Sequence, residues 1–269
     1  MPAMKKPVLV LIFALTTCSA VFAQTPKGTL VIVGGGGTTD AIVTRTLQLA
    51  GGKAAVVAVL PQSSAVEGAG DSSVKMWLEA GAKAARKVDF KEPEAKAALE
   101  AATLIWIPGG DQNRFMAAIE GTGLDEVIRA QYRKGAIVGG TSAGAAVIAE
   151  FMMTGDADLK SLAAGTTVMK KGLALWPGAL IDQHFLARQR NNRLLSAVME
   201  RPTLIGVGID ESTAVIFHGD RFDVLGKSGV VVFDPRGAKV EAATPGAITS
   251  GTGVRLSVLE EGMGYSMKQ

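Results

Sequence analysis

Short apolar runs alternate along the chain with longer segments in which apolar residues recur at helical spacing. The runs TLVIV, AAVVAV, TLIWI and AIV are apolar throughout, and each leads into a loop of small or polar residues. Strands of this kind are typical of parallel sheets, in which both faces of a strand are buried. The alternation of such strands with helices predicts an α/β fold, a mainly parallel sheet with helices on both faces.

Five segments between and after these runs have helical periodicity. The first ends at Gly51–Gly52, a typical helix C-cap, and the third has a proline in its first turn. The predicted helices occupy residues 40–51, 72–86, 93–102, 112–121 and 124–135, and a short strand is predicted near KVDF (87–90).

Three of the loops that follow the predicted strands are candidates for one site. They are GGGG (34–37), PGGDQ (108–112) and GGTSAG (139–144). Ligands of open α/β sheets bind outside the carboxyl ends of the strands, which is where these loops would lie.

The last third of the chain has a different pattern. In residues 204–235, short apolar runs are broken by HGDR and GKSG, which predicts antiparallel hairpins that extend the sheet at one edge. No Pro-rich or Ser-rich linker and no internal repeat interrupts the chain. We therefore expect residues 24–269 to form a single domain.

The first 23 residues have the order of a secretory signal peptide. Lys5 and Lys6 precede an apolar segment, Val8–Leu15, and small residues then lead to Ala23, after which cleavage is expected. A membrane anchor is the alternative, but the apolar segment is short for a bilayer span. A lipoprotein site at Cys18 is disfavoured by the residue before it, Thr17. The expected mature protein is secreted or periplasmic.

Composition narrows the chemistry of the mature chain. Cys18 is the only cysteine and leaves with the signal peptide, so neither thiol chemistry nor a disulfide is expected. Without Lys5 and Lys6 the chain has 26 basic and 25 acidic residues, which argues against nucleic acid or an anionic membrane surface as a partner. Two histidines without a cysteine predict no metal site, and GGGG does not fit G-x-G-x-x-G, so no cofactor is expected.

Ser142 is the candidate nucleophile. It lies in G-T-S-A-G (140–144), which matches the nucleophile elbow G-x-S-x-G between a predicted strand and a predicted helix. Two other interpretations stay open: the hydroxyl caps the helix, or the small residues let two elements pack closely.

His184 is the better candidate for the general base. A serine hydroxyl needs a base, most often a histidine, and the chain contains only two. His218 lies in a predicted hairpin turn, whereas His184 follows the apolar run ALI within a polar cluster. The carboxylate that orients the imidazole could be Asp182, Asp210 or Glu211, and the residues alone favour Glu211 only slightly over Asp182.

The loop PGGDQ could complete an oxyanion hole. A backbone N–H of Gly109 or Gly110 would act together with that of Ala143. Asp111 and Gln112 are then substrate or framework groups, or Asp111 is simply a helix cap.

Three arginines follow His184 closely. If the segment is helical, Arg190 and Arg193 share a face and Arg188 lies one turn from His184. Guanidinium groups beside a catalytic base suit a substrate with carboxylates, and a solvated helix face is the alternative.

Four strings in this order resemble the cyanophycinases, in the serine peptidase family that also contains aspartyl dipeptidase. They are GGDQ (109–112), GGTSAGA (139–145), DQHFLARQRNNRL (182–194) and GIDE followed by STA (208–214). The resemblance implies a flavodoxin-like fold similar to class I glutamine amidotransferases. It also implies a triad of Ser142 as nucleophile, His184 as base and Glu211 as orienting acid. For the mechanism that uses this triad, we expect the backbone N–H groups of Gly110 and Ala143 to hold the oxyanion.

The resemblance further implies a substrate and a pocket. The substrate would be cyanophycin, a polyaspartate with arginine on each side chain, cleaved to β-Asp-Arg dipeptides, and the enzyme would be a homodimer. An aspartyl or isoaspartyl peptidase acting on short peptides is the alternative, and a non-catalytic exported binding protein is another. The implied pocket residues are Gln112, Asp182, Gln183, Arg188, Arg190 and Arg193.

Overall fold

The structure is a computed structural model that describes residues 26–157, 162–241 and 244–268. The predicted signal peptide, residues 1–23, lies outside the described residues. The described strands are β1 (Thr29–Val33), β2 (Val56–Val59), β3 (Ala84–Lys87), β4 (Leu104–Ile107), β5 (Ile137–Thr141), β6 (Phe151–Ala157), β7 (Thr167–Lys171), β8 (Ala179–Gln183), β9 (Ile205–Ile209), β10 (Thr213–His218), β11 (Arg221–Gly226), β12 (Val230–Asp234), β13 (Lys239–Val240), β14 (Gly251–Thr252), β15 (Arg255–Leu259) and β16 (Gly264–Ser266).

Seven α-helices accompany the strands in the described part of the chain. Short 3₁₀ turns at Gly52–Ala54 and Pro61–Ser63 flank β2. The helices are α1 (Asp40–Leu49), α2 (Asp71–Glu79), α3 (Ala95–Ala101), α4 (Gln112–Ile119), α5 (Leu124–Lys134), α6 (Ala143–Ala146) and α7 (Asn191–Glu200).

The main sheet has eight strands in the order β16-β11-β10-β1-β5-β4-β2-β3. The five strands from β1 to β3 in this order are parallel, whereas the pairings of β1 with β10, of β10 with β11 and of β11 with β16 are all antiparallel. The predicted parallel sheet and its antiparallel extension at one edge are both present.

The two faces of the main sheet pack against different helices. Alternate residues of β1 point to opposite sides, so Leu30 and Ile32 belong to one hydrophobic cluster and Val31 and Val33 to another. The first cluster includes buried side chains of α3, α4 and α5, and the second includes those of α1 and α2. Helices therefore cover both faces, as the continuous apolar strands predict.

A second sheet corrects the prediction for the last third. The strands β9, β12 and β15 do not extend the main sheet but join β8 in the order β15-β12-β9-β8. The parallel pairing of β8 with β9 is made possible by α7, the crossover between them. Gly208 of β9 lets Phe185 pack on the sheet, because a Cβ atom there would lie 2.5 Å from the phenyl ring.

The predicted helix at 72–86 is also too long. Helix α2 ends at Glu79, and residues 84–87 form β3 at the edge of the main sheet, so the predicted strand near KVDF lies too late in the chain. Gly81 explains the early end, since its φ of 98° is a left-handed conformation that terminates helices.

Candidate active site

The loops after β1, β4 and β5 meet at the carboxyl ends of their strands. The backbone N–H of Ser142, directly after β5, donates to the carbonyl of Val33 at the end of β1 (3.0 Å). Gly109, after β4, lies close enough that a Cβ atom there would be 3.3 Å from that of Ser142. The three candidate loops therefore surround one point.

Ser142 occupies a strained turn between β5 and α6. Its φ of 55° and ψ of −115° are unusual for a residue with a side chain. The hydroxyl makes no capping bond to α6 and lies instead 2.9 Å from Nε2 of His184. The packing role belongs to the flanking glycines, because a Cβ atom at Gly144 would lie 1.9 Å from the carbonyl oxygen of Ile107.

His184 and Glu211 both follow strands of the second sheet. Because Gln183 of β8 pairs with Ile209 of β9, the two residues emerge from the same end of the sheet. Nδ1 of His184 lies 2.5 Å from Oε1 of Glu211. A carboxylate can only accept, so Nδ1 carries the proton and Nε2 presents a lone pair to the Ser142 hydroxyl.

His218 lies elsewhere. Its Nδ1 contacts the carbonyl of Gly28 and the hydroxyl of Thr29, at the opposite end of β1 from Ser142. Of the other two candidates for the orienting acid, Asp182 is bound to arginines and Asp210 accepts from Leu186, Ala187 and Ser228; neither carboxylate has a described hydrogen bond to His184.

The glycine loop after β1 joins the segments that carry the three residues. The carbonyl of Gly34 accepts from the N–H of His184 (2.7 Å), and that of Gly35 accepts from the N–H of Ser212 (2.7 Å), the neighbour of Glu211. A Cβ atom would lie 2.2 Å from the His184 ring at Gly35, and 2.5 Å from Cβ of Glu211 at Gly36. The loop was predicted as part of the site, and four glycines directly after a buried strand are the signal for this close approach of backbones.

The two backbone N–H groups predicted for the oxyanion hole lie on the loop after β4 and at the start of α6. In the described residues, neither Gly110 nor Ala143 donates its N–H to a backbone carbonyl. The loop that carries Gly110 is held by Ser63, whose hydroxyl donates to the Gly109 carbonyl (2.8 Å), a contact the sequence did not reveal. Asp111 caps α4 by accepting from the N–H of Asn113 (2.7 Å), which is the simpler of its two predicted roles.

Asp182 and two of the arginines form a buried ionic cluster. Asp182 has no exposed surface and Arg193 is 2% exposed. Nε of Arg193 donates to Oδ2 of Asp182 (2.7 Å), Nη2 of Arg193 bonds Oδ1, and Nη1 of Arg190 lies 3.3 Å from the same oxygen. Burial lowers the pKa of Arg190 to about 10, although Asp182 opposes the shift. Asp182 is therefore paired inside the protein, and with two arginines to one carboxylate the cluster has a formal net charge of +1.

The remaining predicted pocket residues differ in exposure. Gln112 and Gln183 are buried; Gln112 donates to the carbonyl of Met153 (2.9 Å), and Oε1 of Gln183 accepts from Arg190 (3.0 Å). Arg188 is exposed, and its N–H donates to the carbonyl of His184 (3.0 Å). Helix α7 begins at Asn191 with Arg190 as its N-cap, so Arg188 precedes the helix, whereas the guanidinium groups of Arg190 and Arg193 both reach Asp182.

Residues 30–225 match the sequence profile described as Peptidase family S51. The chain belongs to peptidase family S51. As an S51 peptidase it is a hydrolase, and the family resemblance and enzyme class expected from the four motifs are confirmed.

The S51 peptidase is similar to curated cyanophycinases. It is 34% identical over 242 residues to the cyanophycinase of Geminocystis herdmanii (strain PCC 6308), covering 84% of this chain and 88% of the relative. It is 36% identical over 195 residues to that of Nostoc sp. (strain PCC 7120 / SAG 25.82 / UTEX 2576), covering 69% of this chain and 65% of the relative.

Solved structures share the fold of this S51 peptidase. A peptidase from an acI-B1 Actinobacterium has a TM-score of 0.66 at 19% identity, covering 90% of this chain and 98% of that one. A putative peptidase E from Listeria monocytogenes EGD-e has a TM-score of 0.55 at 15% identity, covering 75% and 99%. The flavodoxin-like α/β fold is confirmed.

Proposed function

We propose that this S51 peptidase is an exported serine-type enzyme that hydrolyses cyanophycin to β-Asp-Arg dipeptides. The observation that carries the proposal is the continuous hydrogen-bond chain from the Ser142 hydroxyl through His184 to Glu211, at 2.9 and 2.5 Å. An acceptor nitrogen against a serine hydroxyl, with a carboxylate on the other ring nitrogen, is the arrangement that activates a serine.

In the proposed mechanism, Oγ of Ser142 attacks the carbonyl carbon of the scissile bond while Nε2 of His184 accepts its proton. Glu211 keeps the proton on Nδ1 and stabilises the imidazolium that forms. The N–H groups of Gly110 and Ala143 donate to the oxyanion. When the C–N bond breaks, His184 gives the proton to the leaving amine, and a water molecule deprotonated by His184 then hydrolyses the acyl-enzyme.

The polymer substrate is supported by the similarity to cyanophycinases and by the charge beside the base. Arg188 presents an exposed guanidinium one turn after His184, where it suits a carboxylate of an aspartyl substrate. We propose that the buried residues form the wall of the pocket. Direct contact with the substrate would require them to break the hydrogen bonds described above. These residues are Gln112, Asp182, Gln183, Arg190 and Arg193.

Incubating the purified mature protein with cyanophycin and with short α- and β-aspartyl peptides tests this proposal. Dipeptides should appear from the polymer, and Ser142→Ala should release none. Activity confined to short peptides would point instead to an aspartyl or isoaspartyl peptidase, and activity that survives in Ser142→Ala would exclude the serine mechanism. Size-exclusion chromatography with light scattering tests the proposed homodimer.

Export rests on the predicted signal peptide, residues 1–23. Among the described residues, no helix is long and apolar enough to cross a membrane. Mass spectrometry of the protein recovered outside the cytoplasm should find Gln24 at its N-terminus. Recovery of the intact leader on a membrane fraction would contradict the proposal.

A further inference from the structure

Asp210, the residue between β9 and Glu211, has a carboxylate that bonds to two separate segments. Oδ1 accepts from the backbone N–H groups of Leu186 and Ala187, both at 3.0 Å. Oδ2 accepts from the hydroxyl of Ser228 at 2.6 Å. One carboxylate thus ties the turn after His184 to the loop before β12.

The first pair of bonds supports a strained backbone. His184 has a φ of 50°, a conformation that is strained for a residue with a side chain and persists only where neighbouring contacts enforce it. The N–H of His184 is held by Gly34 on one side, and the turn beyond it is held by Asp210. The N–H of Phe185 donates to the carbonyl of Ile209 (3.2 Å), but the next two N–H groups, those of Leu186 and Ala187, have the Asp210 carboxylate as their acceptor and would lose it without Asp210.

The third bond closes a ring around Glu211. The N–H of Ser228 donates to the hydroxyl of Thr213 (2.9 Å), which in turn donates to the carbonyl of Glu211 (3.1 Å). From Oδ2 of Asp210 the bonds therefore run through Ser228 and Thr213 back to the residue after Asp210. This ring fixes the backbone from which the Glu211 side chain reaches His184.

Asp210 is an acceptor in all these bonds because it is ionised. Its burial, at 8% exposed, raises the pKa of the carboxyl. The hydrogen bonds from Ser228 and from three backbone N–H groups outweigh that effect and lower the pKa below its ordinary value.

We infer that Asp210 is a positioning residue, which holds the His184 turn and the Glu211 backbone in one unit and thereby sets the contact between Nδ1 and Oε1. The inference rests on the proposed function, because the triad is part of that proposal. The described hydrogen bonds of the Asp210 carboxylate go to Leu186, Ala187 and Ser228, so its effect on the reaction is exerted through the geometry of His184 and Glu211.

The first test compares Asp210→Ala with Asp210→Asn in steady-state kinetics on a short aspartyl peptide. In Asp210→Ala, two N–H groups of the turn lose their acceptor. If His184 is displaced by about 1 Å as a result, kcat should fall by about 100-fold and KM should stay within about threefold. Asparagine keeps an acceptor for the two N–H groups and can donate to the Ser228 hydroxyl, so Asp210→Asn should recover kcat to within about tenfold. An Asp210→Ala enzyme with unchanged kcat would overturn the inference, as would Asp210→Asn being as impaired as Asp210→Ala.

Asp234→Asn is the matched control. Asp234 is a buried carboxylate of the same sheet and lies at the end of β12 that is remote from the β9 end carrying Asp210. It accepts from Arg236, Arg255 and Tyr265. This variant should lose stability and keep the kcat of its folded fraction. If kcat fell as far in Asp234→Asn as in Asp210→Ala, the effect of Asp210 would be one of overall stability, and the inference would be overturned.

A proton NMR signal gives a readout that stability alone does not move. The short hydrogen bond at Nδ1 of His184 should give a far-downfield resonance. Because the chain has only two histidines, a resonance that remains in His218→Asn belongs to His184. The resonance should persist in Asp210→Asn and be lost in Asp210→Ala. If Asp210→Ala does not fold, Ser228→Ala decides: a lower kcat at constant KM supports the inference, and an unchanged kcat overturns it.

The failure of this inference differs from the failure of the proposed function. A Ser142→Ala enzyme that stays active removes the serine mechanism altogether. An inactive Ser142→Ala beside a fully active Asp210→Ala leaves the mechanism in place and removes only the role of Asp210.

Discussion

Gly35 lies against the imidazole of His184, so close that a Cβ atom on it would sit 2.2 Å from Cε1. Gly37, two residues on, has the same φ of 105°, yet a Cβ atom there would meet nothing within 4 Å. The two glycines therefore separate the cost of an unusual backbone conformation from the cost of displacing a histidine.

Gly35→Ala should abolish most activity whereas Gly37→Ala should not. Both substitutions strain the backbone by about 1 kcal/mol, but only the one at Gly35 pushes the imidazole from its place between Ser142 and Glu211. We expect kcat to fall by about 100-fold for Gly35→Ala and to stay within about twofold for Gly37→Ala. Steady-state kinetics on folded protein, checked by circular dichroism, measures the difference. Equal kcat values in the two variants would contradict the close contact.

Glu211→Gln should lower kcat by roughly 10³- to 10⁴-fold and leave KM nearly unchanged, as for the orienting carboxylate of other serine triads. The amide can present a donor to Nδ1, which favours the tautomer with the proton on Nε2 and removes the base from Ser142. Glu200→Gln is the control, because Glu200 lies on α7 and accepts only from the N–H of Gly165 in the described bonds. A Glu211→Gln enzyme of near-normal kcat would exclude Glu211 as the orienting acid.

Arg193→Met should lower the free energy of unfolding by about 3 kcal/mol or more. It leaves the buried charge of Asp182 with only the longer contact to Arg190, and a buried ion that loses its partner destabilises by about 3–5 kcal/mol. Arg188→Met, at an exposed position, should change stability by less than about 0.5 kcal/mol and raise KM instead. Urea denaturation of both variants decides, and equal midpoints would contradict the structural role of Arg193.

Asp234 should make stability depend on acidic pH. Burial raises the pKa of its carboxyl, but hydrogen bonds from Arg236, Arg255 and Tyr265 outweigh burial and hold the pKa well below its usual range. Because the folded pKa is depressed, the stabilisation is complete above the unfolded value of about 3.9 and is lost progressively as the pH falls below it.

The measurement is the free energy of unfolding of the wild type and of Asp234→Asn between neutral pH and about pH 2.5. The difference between the two proteins should be largest at neutral pH and shrink below about pH 4. A difference that stays constant over this range would show that the Asp234 carboxyl has an ordinary pKa.

The fold of the first half could be predicted from the sequence, because continuous apolar strands and periodic helices are local patterns. The error at β3 was also local: residues 72–86 keep helical spacing, and only the left-handed Gly81 ends the helix. The second sheet could not be predicted, since no local pattern in β8 or β9 indicates that they pair with each other rather than extend the main sheet. Such pairing depends on α7 and on Phe185 packing over Gly208, both tertiary contacts.

The candidate site was foreseeable only as far as residue types are rare. With two histidines in the chain, His184 could be chosen by its place after an apolar run, but Glu211 and Asp182 stayed close competitors. Two tertiary contacts distinguish these candidates. Arg193 pairs with Asp182 inside the protein, and the register of β8 with β9 brings Glu211 beside His184. The holding roles of Gly34–Gly36 and Asp210 consist of contacts between residues far apart in the chain, which no local pattern reports.

Val33 at the end of β1 and the glycine loop that follows it bind segments of both sheets. Their carbonyls accept from Ser142 of the main sheet, and from His184 and the neighbour of Glu211, which follow strands of the second sheet. Under the proposed mechanism, the first 150 residues supply a nucleophile without a base, and the later residues supply a base without a nucleophile. Catalytic competence thus appears only when both sheets have docked on that loop. Two fragments divided between Ser142 and His184 should each be inert and should recover turnover on reassociation, which makes hydrolysis itself a reporter of complete assembly.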